Sequence, residues 1–409
     1  MSTLIEKIMS DRFKGVSGGI LKKTSEATMG HGPEDFVRAG YDYMAWADMF
    51  FPDPSLPGSV KKAMHEAIDT GCSSHYGLEI GSIALRETFA EKVSQKMGLS
   101  IDPDRHVLVT AGSGPALMFS IMPFLSDGDE VLVPEPSYPN NYLNAKLLGA
   151  SVIPVPLYEE DNYQLRIDEF EKRLSNRTKV VVLTNPNNPT GTVFRRKGIE
   201  NLCEFVIRND LVLVCDEAFR DTVYDGIEFV HPCTFPDMWE RTITLYSISK
   251  GYGLSGLRIG CMVANENIMD VFYGAAVNVM GVPGTLTSVG AIAAMNDENI
   301  LKENYERNER RRRIAYQILR DTPGVRMKMS ESGLASWLDI SQLGSADEVA
   351  AYLREKARII VSPGTEYGEH GEGHLRIVTS CYRNDEDAIA RFEQIKQTLS
   401  AMAKEKGLM

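Results

Sequence analysis

No CxxC pair joins any of the six cysteines, at positions 72, 203, 215, 233, 261 and 381, and that scatter excludes a zinc knuckle or dithiol centre. They read as reduced thiols. No GxxxxGK[ST] loop occurs anywhere, which removes a P-loop nucleotide hydrolase. Basic residues are the minority, 44 against 56 acidic, and the formal net charge of -12 disfavours the phosphate-neutralising surface of a general nucleic-acid binder. The opening MSTLIEKIMSDRFKG lacks an uninterrupted apolar core, so it does not read as a secretory signal. A cytoplasmic protein with small-molecule partners is expected.

Three local features invite bolder readings. Val271 to Asn296 contains no charged residue and is long enough to cross a bilayer, but its Gly, Thr, Ser and Asn content and Pro283 argue instead for a buried, tightly turning segment near a subunit or ligand interface. The run RNERRRR, Arg307 to Arg313, lies beside Glu306 and includes Glu309, a mixture expected on a solvated helix face rather than on an RNA-binding surface. EHGEGH, Glu369 to His374, has ligand-type residues in a Gly-rich loop, yet no metal is expected there.

What is present in quantity is the short β-branched run. HVLVT (106–110), EVLVP (130–134), SVIPVPL (151–157), KVVVLTNP (179–186), LVLVCDE (211–217), TITLYSIS (242–249) and IGCMVA (259–264) are apolar without alternation, as strands buried on both faces of a mostly parallel sheet are. The expected fold is α/β, a large domain at about 51–300 around a seven-stranded sheet. Residues 301–409 then form a smaller α+β domain, with a long charged helix, a hairpin in VRMKMSESGLASWLDI and a helix near 346–356. Residues 1–50 are expected to be an N-terminal arm and part of the smaller domain.

Ligands of such a sheet gather beyond the carboxyl ends of its strands, and the polar residues of this chain collect there. The first run leads into AGSGPAL (111–117), whose small residues and following helix suit an anion, although a plain tight turn explains Gly112 and Gly114 equally well. The fourth ends in the amide-rich turn NPNNPTG (185–191), and the fifth delivers Asp216 in DEAF. SISKGYGLSGLRIG (247–260) contains GYGLSG, which fits a dinucleotide fingerprint. It comes after the sixth strand rather than the first, with AAVNVM where a ribose-binding acid is needed. A lysine there, Lys250, suits a nucleophile toward a carbonyl, with Arg258 and the serines holding a phosphate. An aldehyde for Lys250, an anion for Ser113, Ser247, Ser249 and Arg258, and a basic ring nitrogen for Asp216 are the three groups of pyridoxal 5'-phosphate.

NPNNPTG, DEAF and SISKGYGLSGLRIG, in that order, resemble the fold type I aminotransferases of class I/II, which are aspartate aminotransferase-like, and the resemblance runs through HYGLEIGSIALRE (75–87), EPSYPNNY (135–142), VSPGTEYG (361–368) and GHLRIVTSC (373–381). It implies that Lys250 forms the internal aldimine of a transaminase acting between an L-amino acid and a 2-oxo acid, with Asp216 on the pyridinium nitrogen. It further implies Asn188 on the ring hydroxyl, Tyr138 stacked on the ring, and Ser113, Gly114, Ser247 and Arg258 on the phosphate, assisted by Ser249. Tyr76 is implied to reach the phosphate of a neighbouring subunit in a homodimer with shared active sites, and Arg376 to clamp the substrate α-carboxylate.

Two departures stand out. Phe219 occupies the place of a tyrosine whose hydroxyl bonds the ring oxygen, which implies a more basic internal aldimine. No Lys or Arg occurs from 259 to 301, where the dicarboxylate-specific enzymes often carry a second arginine. Trp46, Met49 and Phe50, in AWADMFFPDP, are candidates to line an apolar substrate pocket. C–S/β-lyase, decarboxylase or cyclopropane-forming synthase chemistry on the same scaffold remains an alternative.

Overall fold

The computed structural model describes residues 9–13, 32–281 and 283–408. Most of the stretch read for a leader, and much of the expected N-terminal arm, lie outside them. Thirteen strands occur among the described residues: β1 (Asp42–Tyr43), β2 (Val107–Thr110), β3 (Glu130–Glu135), β4 (Ser151–Pro156), β5 (Thr178–Thr184), β6 (Val212–Asp216), β7 (Thr242–Ser247), β8 (Gly260–Val263), β9 (Arg326–Met327), β10 (Ala335–Asp339), β11 (Ile359–Ile360), β12 (Ser362–Pro363) and β13 (His374–Val378).

All seven apolar runs become strands of one sheet in the order β2-β8-β7-β6-β5-β3-β4. Its inner strand β5 shows why such runs carry no alternation. Val180 and Val182 pack against the helices Ser113–Ile121 and Glu266–Val279, while Val181 and Leu183 pack against the helix Arg196–Arg208, and all four are fully buried. Covering each such side chain contributes roughly 1.5–3 kcal/mol before chain entropy is counted.

The sheet is parallel from β4 through β7, and β8 runs antiparallel to both β7 and β2. Six strands therefore point their carboxyl ends the same way, and the one reversed strand begins at that end. Thr110, Thr184, Asp216 and Ser247, together with the start of β8, thus lie on a single edge of the sheet.

A second sheet, β12-β13-β10-β9, is antiparallel and packs against the helices Glu298–Leu319 and Asp385–Glu405. β1 pairs in parallel with β11, which ties the segment leading to Trp46 to this second sheet. The hairpin read in VRMKMSESGLASWLDI forms as β9 and β10, and the helix near 346–356 as Ala346–Ala357.

Two local expectations are corrected. Arg311 and Arg312 are not on a solvated face. Arg311 is buried with Nε on Asp385 (2.8 Å), Nη1 on the Cys381 carbonyl (2.5 Å) and Nη2 on the Asn384 carbonyl (2.8 Å), while Arg312 donates to the Ser330 carbonyl (2.8 Å) and pairs with Asp225 (2.6 Å). Charge content identified the helix but not its orientation, because a paired guanidinium is buried as readily as an apolar group. The uncharged segment 271–296 is also not a buried turn. Residues 271–279 and 285–295 are helical; Val271, Val277 and Val279 of the first helix are exposed while Phe272 and Ala276 face the core, and the second helix buries Ala291, Ala294 and Met295.

Candidate active site

The carboxyl-end edge of the large sheet opens onto a cavity of about 570 Å³. Nine of the eleven residues singled out from the sequence line it: Ser113, Gly114, Tyr138, Asn188, Asp216, Ser249, Lys250, Arg258 and Arg376. They come from six segments scattered over 264 residues of chain, and sheet topology brings them together. Ser247 lies one layer behind, its hydroxyl 2.8 Å from that of Ser249 and 3.1 Å from the Ser249 amide. Tyr76 is 96 % exposed and lines no part of the cavity.

Gly112 precedes the helix Ser113–Ile121 at φ 83, a conformation suited to glycine. The helix start leaves backbone N–H groups without intrahelical acceptors, and the positive end of the helix dipole accompanies them. Arg258 crosses directly over this turn, donating to the Ala111 carbonyl (3.2 Å) and the Ser255 carbonyl (2.9 Å). A Cβ at Gly112 would come 2.5 Å from Arg258 Nη2, so the guanidinium approaches only because no side chain is there.

Asp216 ends β6 and is almost fully buried, accepting from the Ala218 amide at 3.1 Å. Burial pushes its carboxyl up to about 6, against the opposing pull of that amide and of Lys250. Its neighbour Glu217 turns the other way, to His231 Nδ1 at 2.7 Å and near Arg220 at 3.6 Å. Lys250 Nζ donates to the Ala47 carbonyl at 2.5 Å. Burial, helped by Arg376 and Arg258 and opposed by Asp48 and Asp216, lowers this ammonium to about 8. A buried acid and a buried amine thus share one cavity with their proton affinities brought toward each other, an arrangement that favours proton transfer near neutral pH.

Arg376, in β13, stands opposite Trp337 of β10 and Ser362 of β12. Nη1 donates to Asn188 Oδ1 at 2.9 Å and Nη2 to the Ala45 carbonyl, while Nε, although buried, has no protein partner. A buried charged donor without an acceptor is costly, and in a cavity wall it marks a place for an anion.

Several lining residues escaped the sequence reading: Tyr43, Asp48, Asn140, Ser255, Glu366 and Tyr367. Glu366 and Tyr367 belong to VSPGTEYG, so that signal was within reach, whereas Tyr43 and Asp48 arrive through the β1–β11 pairing, which no local pattern announces. Of the proposed apolar trio only Trp46 lines the cavity. Met49 and Phe50 are core, packed with Phe219 and Leu334. The Glu369–His374 loop does not converge: His370 bonds Glu135, Glu372 caps the Ala346 amide and His374 meets Tyr163. Among the described residues, His374 joins Glu159 and Asp339 in a ligand-type group, but Arg326 already pairs with Asp339.

The family model for aminotransferase class I and II matches residues 48–391. The chain belongs to this family. It is 29 % identical over 392 residues to aromatic-amino-acid aminotransferase 2 of Thermococcus litoralis and to an aspartate aminotransferase of Pyrococcus abyssi, in each case over 95 % of this chain and 98 % of the relative. The crystal structure of an aromatic aminotransferase from Pyrococcus horikoshii superposes with a TM-score of 0.84 at 27 % identity, covering 92 % of this chain and all of that one. The aminotransferase reaction moves an amino group between an amino acid and a 2-oxo acid, and class I and II members use pyridoxal 5'-phosphate. The cavity fits that cofactor: a glycine cradle under Arg258 suits its phosphate, a buried acid its ring nitrogen and a low-affinity amine its aldehyde. No helix among the described residues is long and apolar enough to cross a membrane.

Proposed function

We propose that this aminotransferase works with Lys250 as nucleophile and proton carrier, Asp216 as the counter-charge of the cofactor ring, and Arg376 as the clamp for the substrate α-carboxylate. The observation that carries the reading is the pairing of Lys250 and Asp216 in one cavity, with shifts of opposite sign. Pyridoxal 5'-phosphate supplies an electron sink when bound, and the chain supplies the rest. Ser113, Gly114, Ser249 and Arg258 hold the phosphate end, with Ser247 orienting Ser249 from behind. Tyr138 backs the ring. Asn188 spends its Oδ1 on Arg376, which leaves its amide N–H groups for the ring oxygen. Lys250 Nζ, with its lowered affinity, is neutral in a useful fraction of molecules near neutral pH and takes or returns the proton at the reacting carbon, a role that contributes about 10²–10⁴ in rate.

Tyr76 is assigned to the phosphate of a second copy, in a homodimer with shared active sites. Its near-complete exposure on one chain supports the assignment. We place the protein in the cytoplasm, in keeping with its six free cysteines.

The test is the visible spectrum of the purified holoenzyme as single amino acids are added without an oxo acid. A stoichiometric, lasting change of the cofactor band establishes transamination. A band that returns unchanged while ammonia accumulates makes the protein a lyase on the same scaffold. No band at all, even with added cofactor, removes Lys250 from its role.

A further inference from the structure

Three cations line the cavity, and the proposed reaction employs all of them: Lys250 at the aldehyde, Arg258 at the phosphate and Arg376 at the α-carboxylate. Among the described lining residues no further lysine or arginine remains, and none occurs in the chain from 259 to 301. The carboxylates of the lining are committed too. Asp216 is assigned to the ring nitrogen, Asp48 accepts from Ser255 Oγ at 2.5 Å, and Glu366 has a partner within the protein. A donor side chain therefore meets neither a spare cation nor a spare anion.

What it meets is aromatic. Tyr138 backs the cofactor ring and Phe219 lies 5.7 Å from Lys250 Nζ, which leaves Tyr43, Trp46 and Tyr367 of the aromatic lining. Trp46 holds the decisive place. Before it in the chain the Ala45 carbonyl accepts from Arg376 Nη2, and after it the Ala47 carbonyl accepts from Lys250 Nζ at 2.5 Å. In the proposed reaction those two groups serve the carboxylate and the proton of the same donor carbon, so the side chain of that carbon branches off close to residue 46. The indole is braced yet uncovered: Tyr43 meets it edge-on at 6.3 Å and is itself buried against Phe36 and Phe51, while Trp46 remains 43 % exposed. Tyr367, 5.1 Å from the Arg376 guanidinium, adds a second ring beside the clamp. Lone apolar side chains are ordinary on a surface, but one that lines a cavity next to its reacting groups forms part of a binding wall.

We propose that Trp46, braced by Tyr43 and sharing the cavity wall with Tyr367, is a specificity-determining residue that receives a large uncharged aromatic donor side chain, the chemistry of phenylalanine, tyrosine or tryptophan. This deepens the transamination reading and rests on the assignment of Arg376 to the α-carboxylate. An aromatic donor buries a large apolar area and packs edge-on or offset against the indole. A side-chain carboxylate in the same place loses its water with no cation to replace it. An ammonium or guanidinium is drawn to ring faces, but it must shed its water beside carboxylates that are already engaged.

The experiment measures kcat and KM of the holoenzyme for phenylalanine, tyrosine and tryptophan, for alanine, for aspartate and glutamate, and for lysine and arginine, with one oxo acid as acceptor. The series is repeated on Trp46→Ala and Trp46→Phe. Inhibition constants for 3-phenylpropanoate and glutarate, which carry no α-amino group, supply a binding readout that needs no turnover. The expected result is a kcat/KM about tenfold or more higher for the aromatic donors than for the others, with tighter binding of 3-phenylpropanoate than of glutarate. Trp46→Ala should contract both ratios by about tenfold, chiefly through KM, and Trp46→Phe should keep most of the difference. A preference for alanine, for the acidic donors or for the basic ones overturns the proposal, as does a Trp46→Ala variant that slows every donor by one common factor or leaves the ratios as they were. In each of those cases this assignment alone falls and transamination stands. Absence of turnover with every amino acid removes the transamination reading and this proposal with it.

Discussion

Arg311 and Arg376 are both buried, and they differ in what is left over. Arg311 has its three donor nitrogens engaged, by Asp385, the Cys381 carbonyl and the Asn384 carbonyl, and it fastens the long helix to the start of the last one. Arg376 engages Nη1 and Nη2 and keeps Nε without a protein acceptor in the cavity wall. The saturated guanidinium of Arg311 fastens helices, whereas the open edge of Arg376 stands in the wall of the cavity. The acids follow the same division. Burial by itself would raise Asp385, but hydrogen bonds from Arg311 and Arg310 hold it below the usual carboxylate range, whereas Asp216 has no such cation bonded to it and sits at about 6.

The most damaging way to break the comparison is Arg311→Ala, which leaves the Cys381 and Asn384 carbonyls without their donor while Arg310 still holds Asp385. A loss of about 2–4 kcal/mol in denaturant unfolding is expected, with kcat/KM of the folded fraction little changed. Arg376→Lys should do the converse. A point charge replaces a fork, and kcat/KM should fall about 10- to 100-fold, the equivalent of roughly 1.5–3 kcal/mol, with unfolding nearly unaltered. If Arg376→Lys costs more stability than activity, the division between the two arginines is wrong.

The acids give a finer test through pH. Asp216 binds its proton more tightly in the fold, at about 6, than in the unfolded chain, near 3.9, so it weakens the cofactor-free protein as pH rises from about 4 to about 6. The slope is up to about 1.4 kcal/mol per pH unit, and Asp216→Asn should abolish it. Asp385 has the opposite sign: its stabilisation is present above about pH 4 and disappears as acid titrates it. The smallest effect concerns Phe219, whose ring lies 5.7 Å from Lys250 Nζ and offers no hydroxyl. Phe219→Tyr should lower the pH at which the cofactor chromophore titrates, by up to about one unit. An unchanged titration would show that the missing hydroxyl is of no consequence.

Much of this was legible because two signals coincided. Strands buried on both faces announce themselves as unbroken apolar runs, and polar residues stand where those runs end, so Asp216 and Lys250 were identifiable from order and position, whereas Arg376, inside β13 of the other sheet, was named only through the resemblance. Side chains whose fate depends on a distant partner were not. Arg311 and Arg312 read as solvent-facing because their acceptors lie 74 and 18 positions further along the chain or on other segments. Met49 and Phe50 stayed open between pocket and core for the same reason: only the fold shows that they pack with Phe219 and Leu334. Ser247 was placed on the correct loop at the wrong depth, since a two-residue spacing on an extended strand end does not say which hydroxyl reaches the cavity.

The reversal of β8 has a consequence for how such a protein changes over evolutionary time. Because β7 and β8 are adjacent, the loop 248–259 leaves and re-enters the sheet at neighbouring points, with Lys250 near one end and Arg258 near the other. An inserted or deleted residue there would shift the two against each other, so drift in this loop is confined to substitutions at fixed length. The wall made by 43–48 and 362–367 hangs from the other sheet, and its hold on Arg376 and Lys250 runs through the Ala45 and Ala47 carbonyls, which any residue supplies. Side chains of that wall can therefore change while its backbone keeps both groups in place, so the lining of the cavity can diverge faster than its frame.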